Sequence, residues 1–143
     1  MFTVKKIFHI CYGHRLLNYK GRCSNLHGHN AKVEIILKSG LLNSRKMVVD
    51  FEKIKKIIGS WLDSNLDHKT VLAENDPLAK VLKKNKQALF LTPGNPTAEV
   101  LAELIFDFAK DRKLPVKKVK FWETENSCAS YQKSEVRSQK SEE

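Results

Sequence analysis

The amino-acid sequence predicts an α+β fold built on an antiparallel sheet. Two segments near the start alternate apolar and polar residues with a period of two, and two later segments repeat apolar residues at helical spacing. The two kinds do not alternate as regular βαβ units would, which points away from a parallel α/β fold. The length of 143 residues, 41% of them hydrophobic, suits a single folded domain, expected over residues 1–131.

The first strand is expected from about Phe2 to Tyr12, where Phe2, Val4, Phe8, Ile10 and Tyr12 share one parity and only Lys6 breaks it. A polar stretch with Asn18, Lys20, Gly21 and Arg22 follows. The second strand is expected from His27 to Lys38, with Ala31, Val33, Ile35 and Leu37 on one face against Lys32 and Glu34. Ser39 to Lys46 reads as a hairpin connection leading to a third strand at Met47 to Val49. Asp50 then caps a helix whose Phe51, Ile54, Ile57, Ile58, Trp61 and Leu62 form one buried stripe. Ala88 to Leu91 is a candidate short strand. A second helix starts near Asn95-Pro96-Thr97, with Asn95 or Thr97 as its cap and Val100, Leu101, Leu104, Ile105 and Phe108 as its stripe. Pro115 lies beyond its end, and a last strand covers Val116 to Thr124. The tail from Gln132 to Glu143 holds one apolar residue, Val136, and is expected to be disordered.

Charge and composition bound the function. A formal net charge of +10, from 26 Lys+Arg and 16 Asp+Glu, favours an anionic partner without naming it. No run approaches the roughly 18 apolar residues of a membrane helix. Phe2 to Leu17 lacks the apolar core of a secretory signal, so a cytoplasmic location is expected. Three cysteines, Cys11, Cys23 and Cys128, make a poor disulfide framework and fit a reducing compartment. A small basic nucleic-acid binder is a competing class, but there is no helix-turn-helix signature, exposed aromatic array or single basic stripe to support it.

The most informative segment is Cys23-Ser-Asn-Leu-His27-Gly28-His29. Residues i and i+2 of a strand project to the same face, so two imidazoles at that spacing can converge on one ion. His27 and His29 share the inward parity of Ala31, Val33, Ile35 and Leu37, and His14 shares that of Phe8, Ile10 and Tyr12. A lone inward His is ordinarily a hydrogen-bonded core residue. Three of them on two strands, with a Cys four residues ahead of the pair, favour a metal. Residue types leave two sites open: three His holding zinc with a free fourth position, or a closed structural site with Cys23 as the fourth ligand.

Asp67-His68 is a carboxylate–imidazole pair suited to moving protons, though a loop Asp-His is also ordinary. Glu123 has the inward parity of Val119 and Phe121. A buried Glu needs a partner, and a carboxylate there can accept two parallel hydrogen bonds from a guanidine-like edge such as that of a pterin. If the strand ends at Trp122, Glu123 is simply solvated. Cys11 and Cys128 read as packing residues, and His9 as a surface residue.

These motifs together resemble the 6-pyruvoyl-tetrahydropterin synthase superfamily, and within it the 6-carboxy-tetrahydropterin synthases of the queuosine pathway. The resemblance runs from Phe8 to Tyr131 through FHICYGHRL, CSNLHGHN, MVVDF, LDH, NPTAEVLAELIF and WETENSCASY. It implies that His14, His27 and His29 bind Zn2+, that Cys23 is the catalytic thiol, and that Asp67 and His68 complete a proton relay. It further implies that Glu123 and Thr124 bind the substrate. Where the family commonly has small residues before the first zinc His, this chain has Tyr12-Gly13 with Cys11 ahead. The implied fold is the tunnelling fold, a four-stranded antiparallel sheet with two helices on one face. Sheets close into a barrel in trimers, and two trimers form a homohexamer with active sites between subunits. The implied reaction is a zinc-dependent lyase step on 7,8-dihydroneopterin triphosphate that yields 6-carboxy-5,6,7,8-tetrahydropterin, acetaldehyde and triphosphate. The pyruvoyl-type reaction, which retains the side chain, is the alternative, and a non-catalytic structural zinc module is another.

Overall fold

A computed structural model describes residues 1–134. Residues 135–143, most of the polar tail expected to be disordered, lie outside the described residues. The chain runs β1 (Phe2–His14), a 3-10 turn (Arg22–Ser24), β2 (His27–Ser39), α1 (Phe51–Ile54), a π turn (Lys55–Gly59) and α2 (Ser60–Asn65). It continues through β3 (Thr70–Ala73), α3 (Pro77–Lys84), β4 (Leu89–Thr92), α4 (Ala98–Asp111), β5 (Val116–Thr124) and β6 (Ser127–Tyr131).

The strands form one sheet in the order β4-β3-β1-β2-β5-β6. The block β1-β2-β5-β6 is antiparallel throughout, while β3 and β4 join parallel to β1 and to each other. The expected four-stranded antiparallel sheet is therefore corrected to a six-stranded mixed one. Of its two additional strands, each four residues long, β4 (Leu89–Thr92) answers to the candidate at Ala88 to Leu91, while β3 is buried on both faces, which leaves no alternation to read in Thr70–Ala73. The strand expected at Met47 to Val49 does not form. The Asn43 side chain accepts from the backbone N–H groups of Arg45 and Met47, and Asn43 N–H donates to the Met47 carbonyl, so the segment closes on itself.

Both principal helical segments cover the same face of the sheet. Ile10, Tyr12, Ala31, Val33, Ile35, Leu37, Val119 and Phe121 meet Ile54, Ile58 and Leu62 from one segment and Leu101, Ala102, Ile105 and Ala109 from α4. Asp50 caps α1 by accepting from Glu52 N–H, and Thr97 caps α4 by accepting from Val100 N–H. Gly59 lets the helix settle onto β1, since a Cβ there would sit 3.3 Å from the Phe8 ring. Helix α3 carries a legible start, with Asp76 accepting from Leu78 N–H and Pro77 at the first helical position. Among the described residues no helix is long and apolar enough to cross a membrane.

Candidate metal centre and adjoining cavity

The antiparallel register of β1 and β2 builds the centre. His14 lies directly opposite His27, and Tyr12 directly opposite His29, so three inward imidazoles fall on neighbouring positions of one face. Their ring centroids are 4.6, 5.1 and 4.9 Å apart. One ring nitrogen from each lies within 4.8 Å of the other two. Between these pairs the strands meet at Gly13 and Gly28. A Cβ on Gly28 would stand 3.1 Å from the Tyr12 carbonyl oxygen, so the close approach depends on its absence.

Two of the rings are fixed by backbone carbonyls. His14 Nδ1 is 2.8 Å from the Pro96 carbonyl, and His27 Nδ1 is 2.7 Å from that of Asn25. A carbonyl only accepts, so each Nδ1 carries a proton, which in the neutral ring leaves Nε2 with its lone pair. His27 Nε2 is buried without a partner, and His14 Nε2 lies 3.2 Å from His29 Nε2. His14 is 2% exposed, and burial pulls its pKa down to about 4, aided by His27 and His29 and opposed by the Pro96 carbonyl. Burial lowers that of His29 as well, against the pull of Glu123. Converging ring nitrogens, one of them buried without a partner, fit a bound cation: a metal satisfies all three, and zinc accepts this donor set.

The centre opens on a cavity of about 260 Å³ lined by His14, Cys23, Thr97, Glu123 and Ser127, among others. Cys23 sits on the 3-10 turn and is partly buried. Glu123 is placed by a bulge, because the β5–β6 register shifts between Trp122 and Thr124. Its two oxygens lie 3.9 Å from Nε2 of His14 and of His29. The structure thus brings together His14, His27, His29, Cys23 and Glu123.

The remaining expected site residues lie elsewhere in this chain. Thr124 borders a separate cavity with His9, Asn30, Lys32 and Trp122, and its hydroxyl accepts from Asn126 N–H in the turn to β6. Asp67 and His68 follow α2 and contact Cys11, whose parity is opposite to that of Tyr12 and His14. Sequence reasoning took Asn95-Pro96-Thr97 as a helix start and missed its other work. Asn95 accepts from Leu17 N–H and donates to the Leu17 carbonyl, clasping the chain just after β1, while Pro96 orients His14. The available signal was an Asn-Pro-Thr cap with two hydrogen-bonding residues where one suffices.

Residues 3–134 match the family model described as 6-pyruvoyl tetrahydropterin synthase. The chain is 31% identical over 140 residues to a 6-carboxy-5,6,7,8-tetrahydropterin synthase of Haemophilus influenzae, covering 92% of this chain and 99% of that one. It is 33% identical over 123 residues to the protein of that name from Aquifex aeolicus, covering 77% and 75%. Among solved structures, an uncharacterized protein of Wolinella succinogenes superposes with a TM-score of 0.75 at 24% identity, covering 93% of this chain and 98% of that one. A Caenorhabditis elegans 6-pyruvoyl tetrahydropterin synthase superposes at 0.68 and 24% identity, covering 93% and 96%. At these identities the structures speak to the fold.

Proposed function

Because the chain belongs to the 6-pyruvoyl tetrahydropterin synthase family, we propose that it is a zinc-dependent lyase acting on 7,8-dihydroneopterin triphosphate. In this reading one water is consumed, the products are 6-carboxy-5,6,7,8-tetrahydropterin, acetaldehyde and triphosphate, and the pathway served is queuosine biosynthesis. The observation that carries it is the meeting of three metal-ready imidazoles with Cys23 and Glu123 around one cavity. The names of the Haemophilus influenzae and Aquifex aeolicus relatives support the carboxy-type product.

His14, His27 and His29 would hold the zinc, which supplies Lewis acidity that makes a substrate hydroxyl easier to deprotonate. Glu123 accepts two hydrogen bonds from the amino edge of the pterin and sets its orientation. Cys23, as the thiolate, removes a proton from the substrate side chain. Asp67 orients the imidazole of His68, and His68 passes the proton on. Within one chain these two residues meet Cys11 and not the cavity that Cys23 lines, and in this reading a neighbouring subunit of a homohexamer completes the relay. Triphosphate leaves as a stable anion, which gives the net charge of +10 an anionic partner.

Zinc content and turnover of wild type and Cys23→Ala, measured side by side with product identification, test this. The expected result is about one zinc per chain in both proteins and turnover in the wild type only. Loss of zinc from Cys23→Ala together with an inactive wild type identifies a closed structural site instead. A product that retains its side chain identifies the pyruvoyl-type reaction.

A further inference from the structure

Across the sheet from the histidines, three other donors converge. Cys11 Sγ lies 3.3 Å from His68 Nδ1, and one donor atom each from Cys11, Asp67 and His68 lies within 4.8 Å of the others. We propose that Cys11, Asp67 and His68 form a second metal site, which takes a thiophilic divalent ion such as zinc and silences His68 when filled. The silencing rests on the relay role proposed above; the site itself does not.

The backbone holds these donors in place without the metal. Asp67 Oδ1 accepts from Cys11 N–H at 2.9 Å, His68 N–H donates to the Cys11 carbonyl at 2.7 Å, and Gly13 N–H donates to the Lys69 carbonyl at 3.0 Å. The turn is stitched to β1 at three points. These bonds keep His68 at φ 59°, a left-handed conformation that a non-glycine residue adopts at a cost. A metal with bonds of about 2.0–2.3 Å holds its donors about 3–4 Å apart, and the thiol and imidazole are already at that separation.

The chemistry of the set selects the ion. Sulfur and nitrogen donors favour zinc and cobalt over calcium and magnesium, which prefer oxygen. A thiolate and a carboxylate neutralise a divalent charge, and binding releases the thiol proton to solvent. Within one chain the His68 side chain is 75% exposed, so no packed side chain of that chain stands between the donors and an incoming ion. Asp67 retains Oδ2 for the metal while Oδ1 stays on the Cys11 amide.

Cobalt titration of the full chain in a Cys23→Ala background tests the site, since that background removes the thiol bordering the first centre. The expected result is two cobalt ions per chain and a thiolate-to-cobalt charge-transfer band in the near ultraviolet. Adding Cys11→Ser or His68→Ala removes the second ion, and Cys11→Ser removes the band, while the first ion persists as the report of an intact fold. Adding Cys128→Ser changes neither. A single cobalt ion in the Cys23→Ala protein, or a band that survives Cys11→Ser, overturns the site. Turnover supplies the second arm: excess zinc inhibits the wild type but not Cys11→Ser, each measured against its own rate without added zinc. Equal inhibition of both overturns the silencing. Absence of turnover under all conditions defeats the proposed function, while the cobalt count still decides the site.

Discussion

His14 shows how one residue sets conditions for the centre. Its neutral ring is favoured in the folded chain, where burial lowers its pKa to about 4, against about 6.5 when unfolded. Between those values the unfolded chain binds more protons than the folded one, so stability falls as pH drops from about 6.5 to about 4. His29, lowered by burial too, adds in the same direction. Urea midpoints of the metal-free protein should therefore decline from pH 7 to pH 4.5, and decline less in His14→Phe. A wild-type midpoint that is level across this interval contradicts the assignment. The inward placement of His14, His27 and His29 was readable from strand parity, whereas parity left Glu123 open, since the reading turned on whether the strand runs past Trp122, as it does. Thr124 was not readable in the same way, because the resemblance joined it to Glu123 while the pleat turns the two side chains apart.

The β1–β2 pair explains why the spacing of the histidines matters. Gly28 lets the strands approach between the pair His14–His27 and the pair Tyr12–His29. In Gly28→Ala the new methyl group meets the Tyr12 carbonyl oxygen and pushes the strands apart by a few tenths of an ångström. We expect zinc affinity, measured by competition with a chelator, to fall on the order of tenfold. We also expect a stability loss of about 1–3 kcal/mol from overpacking. Unchanged affinity would show that the glycine pair does not govern the site. Helices α1 and α4 were legible because a cap and an apolar stripe coincide in each. Strand β6 was not, because Ser127–Tyr131 has little apolar alternation and owes its place to pairing with β5. Helix α3 has an Asp-Pro start but only eight residues to carry a stripe, and the ion pair between Asp76 and Arg15 anchors that start to the end of β1.

At the scale of the whole molecule, Cys23 borders the cavity beside the histidines, while Asp67 and His68 of the same chain meet Cys11 and do not line that cavity. If sites form between subunits, two inactive variants can repair each other. Mixed refolding of Cys23→Ala with His68→Ala should restore about a quarter of wild-type turnover, the share of interfaces that combine an intact thiol with an intact imidazole. No recovery in mixed oligomers argues for a site completed within one chain. No residue pattern in the sequence addressed assembly, because interfaces reuse the surface alternation that also suits solvent. The bond from His14 to the Pro96 carbonyl has a kinetic consequence. It spans 82 positions, so the ring that the metal needs is oriented only after a long loop has closed. The β1–β2 pairing can form early from nearer contacts, yet it presents a loosely held His14 until the start of α4 docks. Completion of the metal centre is thus a late folding event, and a chain halted before residue 96 carries all three histidines without the finished centre.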